Sequence, residues 1–169
     1  MTDGIKFTLE GAQALSIKMK GLSNDLQYKG GRSALRKAAN IIRNTAIENA
    51  AQIDDSSTAE EIGKNIVVRW STKTFKQTGD LAFRIGVLGG ARQSSQKYKD
   101  IGVFSGKGKA NPGGDTFYWR FLEFGTETAP AKPFMRKALS SKVQEVQREF
   151  IQQYSKAIDR YLAKAAKSK

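Results

Sequence analysis

Serine–lysine and glycine-rich patterns are the features of this sequence that could support catalysis, and each lacks a necessary part. Ser94 and Lys97 have the spacing of a serine–lysine pair, but the further motifs that accompany such a pair are absent. The run Gly102–Lys107 is one residue shorter than a phosphate-binding loop, and Gly108 stands where that loop needs a hydroxyl. The chain also has no histidine and no cysteine, which removes the commonest general base and the thiol nucleophile. We therefore predict that the protein is not an enzyme.

The adjacent carboxylates do not form a catalytic or metal-binding pair. Asp54–Asp55 and Glu60–Glu61 are neighbours in the chain, and neighbouring side chains point apart on a helix or a strand. Turn and capping roles explain them better. The oxygen-rich spacing of a calcium loop is missing as well, so we expect neither a metal nor another cofactor.

Basic residues interleaved with aromatic ones are the stronger chemical signal. The net charge is +13, which favours an anionic partner. Such a mixture can bind nucleic acid through phosphate contacts and base stacking. Alternatively, the aromatic residues form a core or a subunit interface and the lysines only solubilise a loop, which is the interpretation we favour. The residues concerned are Lys97, Tyr98, Lys99, Phe104, Lys107, Lys109, Phe117, Tyr118, Trp119 and Arg120.

A single carboxylate, Glu123, stands in the most aromatic part of the chain, where Phe117–Phe124 holds five aromatic residues in eight positions. A charge among such neighbours is either paired on burial or turned toward a partner. The positions 117, 121 and 124 suit a helix, whereas 117, 119 and 121 suit a strand, and the pattern leaves both open. Either element has two aromatic faces, and burial in an interface is the natural use of the second.

Several elements must position this block. Residues 5–9 alternate as a short strand, and apolar residues from Ala12 to Leu26 predict a helix with a break near Gly21. Lys29–Gly31 is interpreted as an interruption of the secondary structure before a second helix. The small residues on its apolar face suggest close approach to another element, and its basic residues are interpreted as a solvated face. The apolar face comprises Leu35, Ala38, Ile42, Ala46 and Ala50.

The middle of the chain predicts a hairpin and a loop. Ser57 with Glu60, or Thr58 with Glu61, could cap a short helix toward Gly63. Alternating residues at 66–70 and 81–87 then form a hairpin around a turn at 77–80. Residues 89–114 are a glycine-rich basic loop, which we expect to be mobile, with one short strand from Tyr98, Ile101, Val103 and Phe104.

The last segment predicts a helix of about thirty residues, roughly 45 Å long. Its apolar face runs from Phe134 to Tyr161 or Leu162, Pro133 suits its first turn, and lysines suit its last turn. One small domain can hardly cover such a helix, so part of it should pack on a neighbouring subunit. No membrane-length apolar run or signal-peptide pattern is visible. We predict one domain over 1–169 with an α+β fold: a small antiparallel sheet packed against two or three helices, with a long C-terminal helix.

Two runs, Tyr118–Thr126 and Ala131–Leu139, resemble a known family. They share the pattern of the tail-component family of lambdoid long-tailed bacteriophages, the tail-completion or head–tail joining proteins. That pattern has an aromatic residue, an apolar-Glu-aromatic-Gly-Thr turn, Pro-Phe and an Ala-Leu pair opening a C-terminal helix. Two features depart from it. Asp54–Gly63 lacks the proline and Thr-Gly common before the hairpin, and the loop at 89–114 is unusually long and basic.

The resemblance implies a structural protein of the virion, made in the host cytoplasm, that forms a ring, usually a hexamer, at the head-proximal end of the tail tube. The ring would bind the tail tube protein and the head connector or adaptor proteins and leave a channel for DNA. The loop could reach an adjacent subunit or ring, or contact DNA through Lys97, Lys99, Lys107 and Lys109. No membrane partner is implied.

A heterologous interface closes into a ring when one patch fits a different patch on the next subunit. We expect the turn at Glu123 to be a hinge point, with the carboxylate accepting hydrogen bonds from backbone or from a basic residue. The candidate interface and structural residues are Tyr118, Trp119, Phe121, Glu123, Phe124, Gly125, Thr126, Pro133, Phe134 and Arg136. The alternative function is a basic nucleic-acid-binding module, whose affinity would fall steeply with salt.

Overall fold

The computed structural model describes residues 12–19, 24–53, 61–88, 112–114 and 116–167. The fold is α+β, as predicted, with a two-stranded antiparallel sheet and a long C-terminal helix. The elements in chain order are α1 (Ala12–Met19), α2 (Asn24–Ala51), α3 (Ile62–Asn65), β1 (Ile66–Trp70), α4 (Thr72–Thr78), β2 (Phe83–Val87), α5 (Trp119–Phe124) and α6 (Met135–Lys167).

An antiparallel pair formed by α2 and α6 is the frame of the molecule. Asn49 Nδ2 near the end of α2 donates to the Phe134 carbonyl before α6, at 3.2 Å. Farther along the pair, Lys37 Nζ donates to Gln153 Oε1 at 2.6 Å. The alanines predicted to permit close approach, Ala38, Ala46 and Ala50, are fully buried. The helices can approach because these positions carry little more than backbone.

The glycines at the start of α2 correct one prediction. Lys29–Gly31 does not interrupt the chain, because all three residues lie within the helix. A Cβ on Gly30 would lie 3.2 Å from a ring carbon of Tyr154 in α6, and one on Gly31 would lie 2.7 Å from Leu81 Cδ1. The absence of a side chain at these glycines therefore lets Tyr154 and Leu81 pack against α2. This packing outweighs the low helix propensity of glycine.

Two buried clusters fill the ends of this frame. The first combines the second half of α2 with α3, β1 and the start of α6, through Ala46, Ala50, Ile62, Ile66, Phe134 and Ala138. The second joins Leu15 of α1 to Ala34 of α2 and to Tyr154 and Ile158 of α6. Lys18 of α1 adds an exposed ion pair to Asp159, at 2.9 Å.

The predicted hairpin is present, and its connection differs from the prediction. Ile66 pairs with Val87, Val68 with Ile85 and Trp70 with Phe83. The connection contains the helix α4, which ends at Gly79 with φ +77°, so the predicted turn at 77–80 is the end of that helix. The sheet packs on α2, where Arg43 Nε donates to the Ile66 carbonyl at 3.0 Å. That bond corrects the interpretation of a solvated face for Arg43, whereas Arg36 and Lys37 are exposed, as expected.

The short helix α3 begins later than the capping boxes require. Glu61 stands at its N-cap with an extended backbone and makes no side-chain cap bond, whereas a box opened by Thr58 would place Glu61 in the third helical position. Both proposed cap residues, Ser57 and Thr58, lie outside the described residues. So do Gly21, the predicted strand at 5–9 and the predicted strand at 98–104.

The helix α6 spans 33 residues, about 50 Å. Its predicted apolar face is buried or half-buried up to Tyr161, whereas Leu162 is exposed. Lys164 and Lys167 stand in the last turn, as expected. Pro133 precedes the first helical residue by two positions rather than lying in the first turn, because Glu123 supplies the cap described below. Packing of α6 on a neighbouring subunit stays a prediction.

Candidate assembly site at the junction of α5 and α6

The aromatic block forms a helix, which decides between the two elements that its spacing allows. Residues 119–124 are α5, and Trp119 N and Phe121 N bond back to the Thr116 and Tyr118 carbonyls at 3.1 and 2.9 Å. The helix ends at Gly125, where the chain turns toward α6. Glu123 lies in the last turn of α5 and is 2% exposed.

The Glu123 carboxylate caps the N-terminus of α6. Oε2 accepts hydrogen bonds from Phe134 N at 2.8 Å and Met135 N at 2.9 Å. Oε1 accepts from Arg136 N at 2.9 Å and from Arg136 Nε at 3.1 Å. Glu123 was predicted to accept hydrogen bonds from backbone or from a basic residue, and the structure shows both kinds of donor.

The backbone amides carry more of this interaction than the ion pair does. The first amides of a helix have no acceptor within the helix, and a negative charge is favoured at that end of the helix dipole. The Arg136 side chain is 58% exposed, so water screens its charge. Arg136 also donates through a second guanidinium nitrogen to the Glu123 carbonyl. The carboxylate thereby fixes α5 against α6.

The turn after Glu123 requires glycine. Gly125 has φ +78°, and a Cβ there would lie 2.9 Å from Ala131 N and 3.0 Å from the Ala129 carbonyl. Thr126 closes the following bend, since its hydroxyl accepts from Ala129 N at 3.0 Å. Lys132 N then donates to the Leu122 carbonyl at 2.7 Å, which returns the chain to α5.

One side of α5 faces the core. Tyr118, Trp119 and Leu122 are half-buried against the cluster that contains Phe134 and Ala138. Trp119 Nε1 is buried and has no hydrogen-bond partner among the described residues. This side explains only part of the aromatic content of the block.

The other side of α5 carries Phe121 and Phe124, which form an exposed aromatic face together with Phe117, two residues before the helix. The side chains of Phe117, Phe121 and Phe124 are 43%, 55% and 64% exposed. The Arg136 guanidinium carbon lies 5.0 Å from the Phe124 ring centroid, within cation–π range. One turn along α6, Leu139 is 52% exposed. Solvent-exposed aromatic residues this close together are typical of an interaction surface.

A second buried polar group, Asn65, was not among the residues predicted from the sequence. Its amide nitrogen donates to the Gly114 carbonyl at 2.9 Å and to Thr116 Oγ1 at 2.8 Å, and its amide oxygen accepts from Gly113 N at 2.8 Å. The Asn65 carbonyl accepts from Leu88 N at 2.8 Å. Asn65 therefore holds both ends of the segment 89–112 at one place. A single asparagine carries no sequence signal for this role.

The structure brings the predicted interface residues together at one corner. Glu123, Gly125, Phe134 and Arg136 form the cap and its turn, Tyr118 and Trp119 face the core, and Phe121 and Phe124 face outward. Thr126 and Pro133 lie in the connection to α6. The predicted loop lysines, Lys97, Lys99, Lys107 and Lys109, lie outside the described residues, and the mobility of the loop stays a prediction. Its last residues, Gly113 and Gly114, are buried.

The described residues also bear on other kinds of site. They contain no group of three or more metal-ligating side chains that could hold an ion. None of the described helices combines the length and the apolar character that crossing a bilayer demands.

Comparison with known proteins identifies the family. No curated protein and no solved structure matches the chain. A family model described as "Bacteriophage HK97-gp10, putative tail-component" matches residues 13–125, which is about two thirds of the chain and includes α5 with Glu123 and Gly125. The match ends before Pro133 and α6, so the second half of the motif lies beyond it. The resemblance predicted from the sequence is confirmed: the chain belongs to the HK97-gp10-like family of bacteriophage tail components.

Proposed function

We propose that this tail component acts at the head–tail junction of the virion, where copies of it form a ring through the exposed aromatic face. The ring, a hexamer by the resemblance, caps the tail tube and joins it to the connector or adaptor proteins of the head, leaving a channel for DNA. The role is structural and involves no catalysis.

The observation that carries the proposal is the aromatic face of Phe117, Phe121 and Phe124. These side chains stay exposed while the opposite side of the same helix is packed. Burying a phenylalanine side chain contributes about 1.5–3 kcal/mol, and aromatic anchors dominate the energetics of interfaces.

Rigidity of the face supports the same conclusion. The cap made by Glu123 and the turn at Gly125 hold α5 in one orientation on α6. A ring closes only if each subunit presents its patch at a fixed angle to the next. A face carried on a loosely attached helix would not set such an angle.

Substitution of the face tests the proposal. We expect the wild-type protein to run as a closed oligomer in size-exclusion chromatography with light scattering, and to show rings by negative-stain microscopy. The double variant Phe121→Ser, Phe124→Ser should weaken association by at least about tenfold, because each change removes apolar area from the interface.

The matched control is Ile17→Ser, which removes an apolar side chain that is 70% exposed on α1 and should leave the oligomer intact. The oligomer should also persist in high salt, since apolar contacts are not screened. A monomeric wild-type protein, or rings that survive in the double variant, would contradict the proposal.

A further inference from the structure

The face of the sheet that points away from the core combines a glycine with a pair of arginines. Alternate residues of β2 pack against the first buried cluster, so the residues between them lie on the opposite face. There Val67 pairs with Gly86, and Arg69 pairs with Arg84. The two arginines are exposed, and Val67 and Gly86 are half-buried. We call these residues the outer sheet patch.

Gly86 is not explained by the packing of its own chain. Its φ is not positive, and a Cβ there would meet no described atom within 4 Å. Every other glycine among the described residues has either a positive φ or a neighbour within 3.3 Å of the position of a Cβ. Glycine weakens a strand, and it often marks a place where another backbone or a ligand approaches closely. The missing side chain therefore points to a contact made from outside the chain.

The arginine pair also has no explanation within the chain. Arg69 and Arg84 stand directly opposite each other, and their side chains have no hydrogen-bond, ion-pair or ring partner among the described residues. Like charges in this position destabilise a sheet. Arginine stacks on aromatic rings and pairs with carboxylates, so a surface that carries both groups would stabilise the pair.

The aromatic face and the bend that follows it carry both groups. Phe121 and Phe124 present exposed rings, and an aromatic ring laid over a strand glycine compensates for the missing side chain. Glu127 follows Phe124 by three residues and is exposed. Its carboxylate has no partner among the described residues, so it is available to a basic surface.

The basic residues of the same corner have other partners or positions. Arg136 pairs with Glu123, and the Arg120 guanidinium carbon lies 5.5 Å from the Trp119 ring centroid. The remaining cations line a cleft that the exposed phenylalanines do not border, and these are Lys132 and Lys137.

We propose that the outer sheet patch is the surface on which the aromatic face of the next copy packs. The phenylalanine rings lie on Val67 and Gly86, and the arginine pair flanks the rings and binds Glu127. This inference rests on the proposed assembly through the aromatic face and names its counterpart. The contact joins two different patches, as ring closure requires. Since β2 and α5 pack against the same buried cluster, the angle between the patches is fixed.

The first test substitutes Gly86. Gly86→Val should leave the fold at least as stable as in wild type, because valine favours strands and the space around its Cβ is open. The same change occupies the surface on which the rings lie, and we expect association to weaken at least about tenfold. Gly86→Ala should have a smaller effect. Sedimentation velocity measures association, and thermal unfolding measures stability.

A second variant leaves the glycine in place. Arg69→Ala with Arg84→Ala removes two exposed side chains that have no described partner, and it should also weaken association at least about tenfold. The control is Lys76→Ala with Arg148→Ala, which removes the same charge from exposed positions on α4 and α6 and should assemble as wild type does. If Gly86→Val is destabilised, the arginine variant decides.

A mixing experiment tests whether the two patches contact each other. A copy with Phe121→Ser, Phe124→Ser keeps its outer sheet patch, and a copy with Gly86→Val keeps its aromatic face. At a concentration where wild type assembles, each variant alone should be monomeric. An equimolar mixture should form a dimer and nothing larger, because one intact contact remains between unlike copies. Light scattering measures the mass.

Four results would overturn the inference. Rings that persist in a folded sheet-patch variant, while the phenylalanine variant loses them, would place the counterpart elsewhere and leave the ring proposal standing. A mixture without the dimer would exclude contact between these two patches. Loss of rings in the charge control would show a general charge effect. A monomeric wild-type protein would remove the ring proposal and this inference with it.

Discussion

The two ends of the α2–α6 pair treat charge in opposite ways. At the end where α6 begins, Glu123 is buried and accepts four hydrogen bonds from residues 134–136. At the end where α6 finishes, Lys37, Arg160 and Lys164 are exposed around a groove without a described carboxylate. The first end satisfies its charge internally and presents aromatic rings to solvent. The second end presents its charge.

This difference suggests different roles for the two ends of the helix pair. A buried charge with all its bonds made within the chain fixes geometry and contributes nothing to partner attraction. Exposed cations contribute little to stability, and they attract anions over a distance. This contrast supports the proposal that the α5 end holds subunits in register.

The largest expected effect is at Glu123. Glu123→Ala leaves the amides of residues 134–136 without their acceptor, and we expect a loss of about 3–5 kcal/mol in the free energy of unfolding. Urea denaturation measures this loss, and size-exclusion chromatography should show reduced assembly. Glu123→Gln keeps one acceptor oxygen and should lose less. Intact rings in the alanine variant would show that the cap does not set the assembly geometry.

A smaller effect is expected from the core at the other end. Ile158 is 1% exposed, and Ile158→Ala should cost about 2–4 kcal/mol because a cavity replaces its side chain. We expect assembly to be retained under conditions where the variant is folded. Leu162→Ala, at an exposed position of the same helix, is the control and should change stability little. Loss of rings in folded Ile158→Ala would mean that the ends are not independent.

The smallest effect concerns pH at the same end. Burial raises the pKa of the Tyr154 hydroxyl above its ordinary value, because ionisation in the core is unfavourable. Below the unfolded-state pKa of about 10 the tyrosine is neutral in both states, so its contribution is fully present. Above that pH the unfolded state ionises first, and stability falls.

Tyr154→Phe should therefore lose less stability than wild type between about pH 9 and 11, when urea midpoints are compared. All other titratable groups are the same in both proteins, so the difference between the two curves reports on Tyr154. Identical slopes in the two proteins would contradict the assignment.

The sequence predicts this fold where local periodicity and packing agree. The alanine face of α2 and the alternation in β1 and β2 give correct elements because each pattern has a partner surface. Gly30 and Gly31 lead to a wrong prediction because their role is in tertiary packing. The low helix propensity of glycine favours a break in the helix, but the close packing of Tyr154 on these residues keeps the helix continuous. The sequence does not predict the helix α4, because its seven residues are mostly polar and form no apolar stripe.

The candidate site divides in the same way. Glu123 could be predicted because a lone carboxylate among aromatic residues needs a partner, and Arg136 belongs to the motif that follows it. Asn65 could not, because its bonds reach residues 48 to 51 positions away. The groove between α2 and α6 depends on the two helices meeting in antiparallel register, and a linear sequence does not show which lysines of distant helices will converge.

Asn65, through its side-chain amide and its backbone carbonyl, has a consequence for how this chain tolerates change. It closes a stem at which the segment 89–112 leaves and rejoins the domain through bonds to one residue. Entropy penalises a longer insertion at such a stem by only about 0.6 kcal/mol per doubling of length. A segment of different length between Leu88 and Gly113 should therefore leave the helical frame below unaltered.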